Sequence, residues 1–228
     1  MNYEWLTEGS PLQWLLGSLQ HDFTSLVKLL GGYRRAEAKF DTFFGISTKD
    51  SIVFINDTAT HYWHGNEPDH HVPFLYVLLD IAWKTQALTR HLILLNYGKE
   101  AGGISGNDDG GQMSAWYIWA TLGLYPLIPG AQEPWYILTS PAVDKSELVL
   151  PVMDDNFNHK FVIYALNNCA ENVYVQSAYL EGIALNRSWI YHSELFQNSN
   201  LTFVMGPVPN VEWPGKRAPR PPIMYRFS

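Results

Sequence analysis

Apolar residues follow helical spacing through the first half of the chain and strand-like spacing through the second. Leu12, Leu15, Leu16 and Leu19 lie behind Ser10, a helix-capping residue, and Pro11, which suits the first helical turn. A second run, Phe23 to Leu30, stops at Gly31–Gly32, a helix C-terminal signal. Arg34–Phe44 predicts an amphipathic helix with Ala36, Phe40, Phe43 and Phe44 on or near one face. Residues 45–60 read as loop around the short apolar run Ile52–Ile55. Helices are expected again at about 69–80 and about 82–97, the second carrying Trp83, Leu88, Leu92 and Leu95. Gly98 and the glycine-rich stretch 102–111 end it. Gln112–Leu124 reads as a buried helix closed by Tyr125–Pro126, because Met113, Trp116, Tyr117, Ala120 and Leu124 cover most of its surface.

From about residue 133 the pattern changes. Trp135–Leu138, Glu147–Leu150, Lys160–Ala165, Val173–Leu180, Ala184–Leu185, Ser188–Tyr191 and Leu201–Met205 are short and β-rich. Asp154–Asp155–Asn156, Asn167–Asn168 and Glu181–Gly182 read as the turns between them. From Pro207 the tail carries six prolines by Pro222 and reads as irregular. The fold class that follows is α+β, helical hairpins followed by an antiparallel β region.

Composition adds a few limits. With 228 residues, 46% hydrophobic, the chain has enough apolar material for a core. A net charge of −7 and the lack of a basic run before the C-terminal tail argue against a nucleic-acid partner. The opening MNYEWLTEGS has neither the basic region nor the apolar stretch of a signal peptide, and no run is long enough to span a membrane. The lone Cys169 excludes an internal disulfide and reads as a small buried side chain. Nine Trp and thirteen Tyr are many; they read either as large core residues, the expectation for Trp14, Trp63 and Trp116, or as platforms for sugar rings.

Two stretches concentrate the polar chemistry: HYWHGNEPDHH at 61–71 and GNDDGGQMSAW at 106–116. The chain between them is long enough for a helical hairpin to bring them together. Asn66–Glu67, held extended before Pro68, offers hard oxygen ligands suited to a cation such as Ca²⁺. It reads equally as a helix start, with Glu67 and Asp69 near the positive end of the dipole. His70 and His71, adjacent on a helix, point about 100 degrees apart and cannot chelate one ion as histidines four apart do, so zinc is not expected. Either could bond a substrate hydroxyl or sit satisfied in the interior. Asp108–Asp109, between Asn107 and Gly110–Gly111, could hold a base or position a water, or could simply cap the next helix. Glu8 is a lone carboxylate before a helix, and His21–Asp22 is a polar contact or a helix cap.

Taken together, TEGSPLQW, HYWHGNEPDHH, WKTQ, GNDDGGQMSAWY, LGLYP and NVYVQSAYLEG, in this order from about 3 to 210, resemble glycoside hydrolase family 92, the calcium-dependent exo-acting α-mannosidases. The resemblance implies an (α/α)6 toroid preceded by a β-sandwich and followed by strands. Residues 1–132 would be the closing part of the toroid, 133–210 the β region and 211–228 a Pro-rich tail. Its partners would be α-mannoside glycans together with the absent β-sandwich and the rest of the toroid. It further implies Ca²⁺ held by Asn66, Glu67 and the backbone at His64, a position where many members carry Gln. Asp109 matches the general base of an inverting mechanism, and Glu8 the general acid. Asn107 stands where some members carry a second Asp. His70, His71 and Asp108 are candidates for substrate contact. Members are mostly exported. A non-catalytic carbohydrate-binding remnant, or a different glycosidase or lyase on a helical toroid, are the rival readings.

Overall fold

The computed structural model describes residues 22–49, 52–57, 61–151, 158–215 and 218–222. The expected helix at 11–20, with Glu8, Trp14 and His21, lies outside these residues, as does the turn at 154–156. The described fold is α+β. Helix α1 (Phe23–Leu29) begins at Asp22, whose carboxylate accepts the Ser25 N–H at 3.0 Å. It ends at Gly31–Gly32, and Gly32, at φ +102°, adopts a conformation open to glycine and leads directly into α2 (Tyr33–Phe43). Ala36, Phe40 and Phe43 form the buried face of α2, as their spacing requires.

The expected loop 45–60 contains a hairpin. Strand β1 (Ile46–Lys49) pairs antiparallel with β2 (Ile52–Ile55), Ile46 opposite Ile55. The Ile-Ser-Thr-Lys sequence of β1 lacks the apolar alternation that would reveal it. The expected helix at 69–80 is two 3-10 segments, Glu67–Asp69 and Val72–Leu79. Pro68 and Pro73 each remove an N–H donor near a segment start, and every residue of Val72–Leu79 is buried, so packing rather than an amphipathic pattern fixes it. Asp80, in the left-handed conformation, stops the run, and α3 (Ala82–Asn96) follows. A short turn returns the chain from Gly98 to Gly103, and the 3-10 turn Asp109–Gly111 leads into α4 (Gln112–Leu122).

The β region forms two sheets. A three-stranded sheet has the order β3 (Leu124–Tyr125), β4 (Trp135–Leu138), β9 (Trp189–Tyr191). The five-stranded sheet runs β5 (Lys145–Pro151), β6 (Asn158–Leu166), β10 (Asn200–Gly206), β7 (Tyr174–Leu180), β8 (Ile183–Ala184). Pairing is antiparallel except between β6 and β10, which run parallel. A short helix absent from the sequence reading, α5 (His192–Gln197), separates β9 from β10. Alternate residues Phe161, Ile163 and Ala165 of β6, and Leu201, Phe203 and Met205 of β10, turn inward. One cluster of buried apolar residues runs from Phe23 on α1 to Trp213 beyond the last strand. Gln86 on α3 reaches across it to accept the Val175 N–H of β7 at 3.0 Å. The proline-rich tail is docked where described: Pro219 accepts from the Trp189 indole at 2.8 Å, and Arg220 pairs with Asp80 at 2.6 Å. Cys169 is exposed rather than buried, because it sits in the turn after β6. Among the described residues no helix is long and apolar enough to cross a membrane.

Lys84 joins α3 to α2. Its side chain is 2% exposed, and its ammonium contacts Glu37 and Asp41, each at 2.7 Å. Tyr76 donates to Asp41 at 2.9 Å. Burial pushes the Asp41 carboxyl up, although the ammonium and the Tyr76 hydroxyl beside it pull the other way. Removing the cation strands Asp41 beside Glu37 in a mostly apolar wall. The Lys84→Met substitution is therefore expected to cost about 2–3 kcal/mol, below the usual cost of a broken buried pair because both carboxylates keep some solvent. Urea unfolding at pH 7 measures this, and a loss under about 1 kcal/mol would show the pair to behave as a surface one.

Candidate active site

The two polar stretches meet at their glycines. A side chain on Gly106, which has φ +80°, would approach the Gly65 Cα to 3.2 Å, and one on Gly65 would strike the Trp63 indole and the Ser105 carbonyl. Trp63 lies over this contact and stays 53% exposed, so it is not a core residue, whereas Trp116 is fully buried.

A relay of hydrogen bonds fastens the first loop to α4. Tyr97 donates its hydroxyl proton to the Met113 carbonyl at 2.9 Å, so its oxygen accepts from His64 Nε2–H at 2.8 Å. His64 Nδ1 is then the acceptor for the Tyr62 hydroxyl at 2.7 Å. This pattern is that of the neutral imidazole, which burial favours. Burial lowers the His64 pKa to about 3, with nearby His70 adding to the effect. His70 in turn donates Nε2–H to the His64 carbonyl at 2.8 Å, and its Nδ1 faces the Gln112 amide at 3.3 Å. Its own carbonyl accepts from the Trp116 indole at 2.9 Å. The His70 pKa is lowered too, by burial. Both ring nitrogens of His70 therefore have protein partners.

A cleft of about 600 Å³ opens beside these residues. Glu67, His70, His71 and Gln112 supply its polar wall, and Trp119 and Tyr125 part of its apolar one. The Oε1 atom of Glu67 is buried and has no hydrogen-bonding partner among the described residues. A buried carboxylate oxygen left so is costly, and a cation beside it would remove the cost. Asn66 donates its amide Nδ2–H to Asp69 Oδ2 at 2.8 Å. The His64 carbonyl, engaged once by His70, keeps a second lone pair. One carboxylate, one carboxamide and one carbonyl form a hard-oxygen donor set, which fits Ca²⁺ and not zinc. Among the described residues no group of three or more His, Cys, Asp or Glu is placed to hold a metal, so a cation here would depend on neutral oxygens and water as well.

The two aspartates of the second stretch differ. Asp108 is a helix cap: its carboxylate accepts the Ser114 N–H and hydroxyl, each at 2.8 Å. Asp109 is exposed, with φ +36°, and its carboxylate makes no hydrogen bond to a described residue. A non-glycine residue held at positive φ beside an open carboxylate is a local cost of the sort found at functional sites. Neither aspartate lines the cleft; Asp109 lies three residues before Gln112, which does. Glu8 lies outside the described residues. The sequence reading missed Tyr62, Tyr97, Trp116 and Gln112 as the frame of the site, although GQMSAW carried two of them.

Residues 1–207 match the glycosyl hydrolase family 92 catalytic domain, and the chain belongs to that family. Over 93% of its length it superposes on family GH92 alpha-mannosidase BT3965 from Bacteroides thetaiotaomicron, with a TM-score of 0.79 and 28% identity. A second structure of that enzyme is a complex with mannoimidazole. The GH92 inverting mannosidase BT2199 from the same organism is 34% identical, with a TM-score of 0.76 over 90% of this chain. An uncharacterized secreted glycosidase of Arthroderma benhamiae is 28% identical over 82% of this chain. The chain spans 27% of BT3965, 28% of BT2199 and 22% of the fungal protein.

The neutral His64 makes a prediction about pH. Its folded pKa lies near 3 and the unfolded value near 6.5. Between these the unfolded chain binds a proton that the folded chain refuses, so stability falls on acidification through this window. The His64→Gln variant should lose that contribution, up to roughly 1.4 kcal/mol per pH unit below about pH 6. Denaturant unfolding of both proteins at pH 7, 6 and 5 tests it; parallel pH profiles would contradict the assignment of a neutral His64.

Proposed function

We propose that this member of glycosyl hydrolase family 92 is the C-terminal part of a calcium-dependent, inverting α-mannosidase acting on terminal α-mannosides of N-glycan or mannan type. In this reading residues 1–132 close an (α/α)6 toroid, and residues 133–210 and 211–228 form its β region and tail. The observation that carries the proposal is the Glu67 Oε1 atom, buried without a hydrogen-bonding partner among the described residues on the wall of a cleft that also presents His70, His71 and Gln112. The mannoimidazole-bound relative and the mannosidase names of BT3965 and BT2199 support mannose as the sugar.

Asn66, Glu67 and the His64 carbonyl would hold Ca²⁺, which when bound supplies a Lewis-acid contact for sugar hydroxyls and favours distortion of the ring. Asp109, whose carboxylate is uncommitted, takes a proton from the attacking water. Glu8 gives a proton to the departing glycosidic oxygen. Inversion requires these two carboxyl groups to stand about 6.5–9.5 Å apart, with the water between the base and the sugar. His71 and Gln112 line the cleft where hydroxyls would need partners. His70 Nε2 is committed to the loop, so its part is to fix the wall.

The test is hydrolysis of aryl α-mannosides and α-glucosides by this chain, alone and joined to the upstream portion of a family relative. Turnover of mannosides, loss with chelator and recovery with Ca²⁺ are expected from the joined protein. Asp109→Asn should lower kcat by about 10²–10⁴-fold. An inactive joined protein in the presence of Ca²⁺ would overturn the proposal. Mannoside binding without turnover, indifferent to Asp109→Asn, would instead establish a carbohydrate-binding remnant.

A further inference from the structure

Asp69 is the most deeply buried carboxylate of the site and has no part in the scheme above. Its side chain is 0% exposed, and its Oδ2 accepts from Asn66 Nδ2 at 2.8 Å. The backbone closes the same turn, with Asp69 N–H donating to the Asn66 carbonyl at 3.1 Å. An asparagine amide presents an oxygen at one end and a nitrogen at the other, and the two are nearly the same size. Whatever holds one end decides which chemistry the other end shows. The amide nitrogen is the end that faces Asp69, whose Oδ2 accepts from it. The oxygen is thereby turned away, and Asn66 Oδ1 makes no hydrogen bond to any described residue. Asn66 precedes Glu67, whose Oε1 is a buried oxygen with no hydrogen-bonding partner among the described residues.

We infer that Asp69 is a positioning residue that orders the cation site by fixing the Asn66 amide with its oxygen free for the ion. The inference rests on the Ca²⁺ reading of the site. A neutral residue that both donates and accepts at position 69 would tolerate either amide orientation, and half of these would point N–H groups at a cation. An apolar residue would leave the amide without a guide. Any electrostatic effect of Asp69 on the ion is separable from orientation because it does not need Asn66.

Calorimetric titration of the chain with CaCl₂ tests this through a double-mutant cycle of Asp69→Ala and Asn66→Ala. Asp69→Ala is expected to weaken Ca²⁺ binding about 10–100-fold, as loss of an outer partner of a metal ligand does. In the Asn66→Ala background the same change should cost less than about threefold, since there is no amide left to orient. Asp69→Asn, which keeps the shape and an acceptor, should fall between Asp69→Ala and the unchanged protein, and it gives the same comparison if Asp69→Ala does not fold. Equal losses in the two backgrounds would overturn the inference and leave only the charge effect. Full affinity in Asp69→Ala or Asp69→Asn would overturn it as well. Absence of Ca²⁺ binding in the unchanged protein would show that the cation reading itself fails, and the positioning role would fall with it.

Discussion

A histidine that must stay uncharged holds this site together. His64 sits between two tyrosines, accepting from one and donating to the other, and the second tyrosine donates its own hydroxyl to a carbonyl at the start of α4. Each polar atom in that line has a partner of the right kind, and a second proton on the ring would put a charge in the interior and force the Tyr62 hydroxyl to turn. The interior enforces the neutral form by denying solvent to the charge. Two loops far apart in sequence are thereby brought into one wall, with Trp116 and His70 completing the seam.

That seam depends on the helices behind it. Tyr97 follows the last turn of α3, and α3 is tied to α2 by Lys84 and to the five-stranded sheet by Gln86. The β region thus buttresses the helix whose end supplies part of the site. The tail closes on the 3-10 segment that follows the first loop, through Arg220 and Asp80. The polar atoms left over, chiefly Glu67 Oε1 and the Asp109 carboxylate, are those that a ligand or a reacting group could use.

The legible parts of the fold were those set by local pattern. Helix α3 was expected at about 82–97 and spans Ala82–Asn96, because its apolar spacing and the following glycine act within a few residues. Val72–Leu79 is 3-10 where a continuous apolar run predicts an α-helix, because Pro68 and Pro73 take N–H donors out of the segment starts. Strand β1 was missed because only its partner β2 carries the apolar signal, and α5 because it is short and buries only Leu195. The parallel pairing of β6 with β10 is a long-range outcome that neither strand announces. In the site, the two motifs and their meeting were legible. The work of Tyr62 and Tyr97 was not, since it arises from side chains that meet only after the chain has folded back on itself. That Asp108 is a cap while Asp109 stays uncommitted was also hidden, as adjacent aspartates before a helix look alike until one of them has accepted from Ser114.

Glu67, as proposed above, holds a hard cation in the cleft that Trp116 and Trp119 also line. Terbium is a hard, oxygen-seeking ion whose emission brightens when an excited indole lies near it. Titrating the chain with Tb³⁺ under tryptophan excitation should give sensitised emission that Ca²⁺ displaces and that Glu67→Gln abolishes. No sensitised emission, or emission unchanged in Glu67→Gln, would contradict the claim.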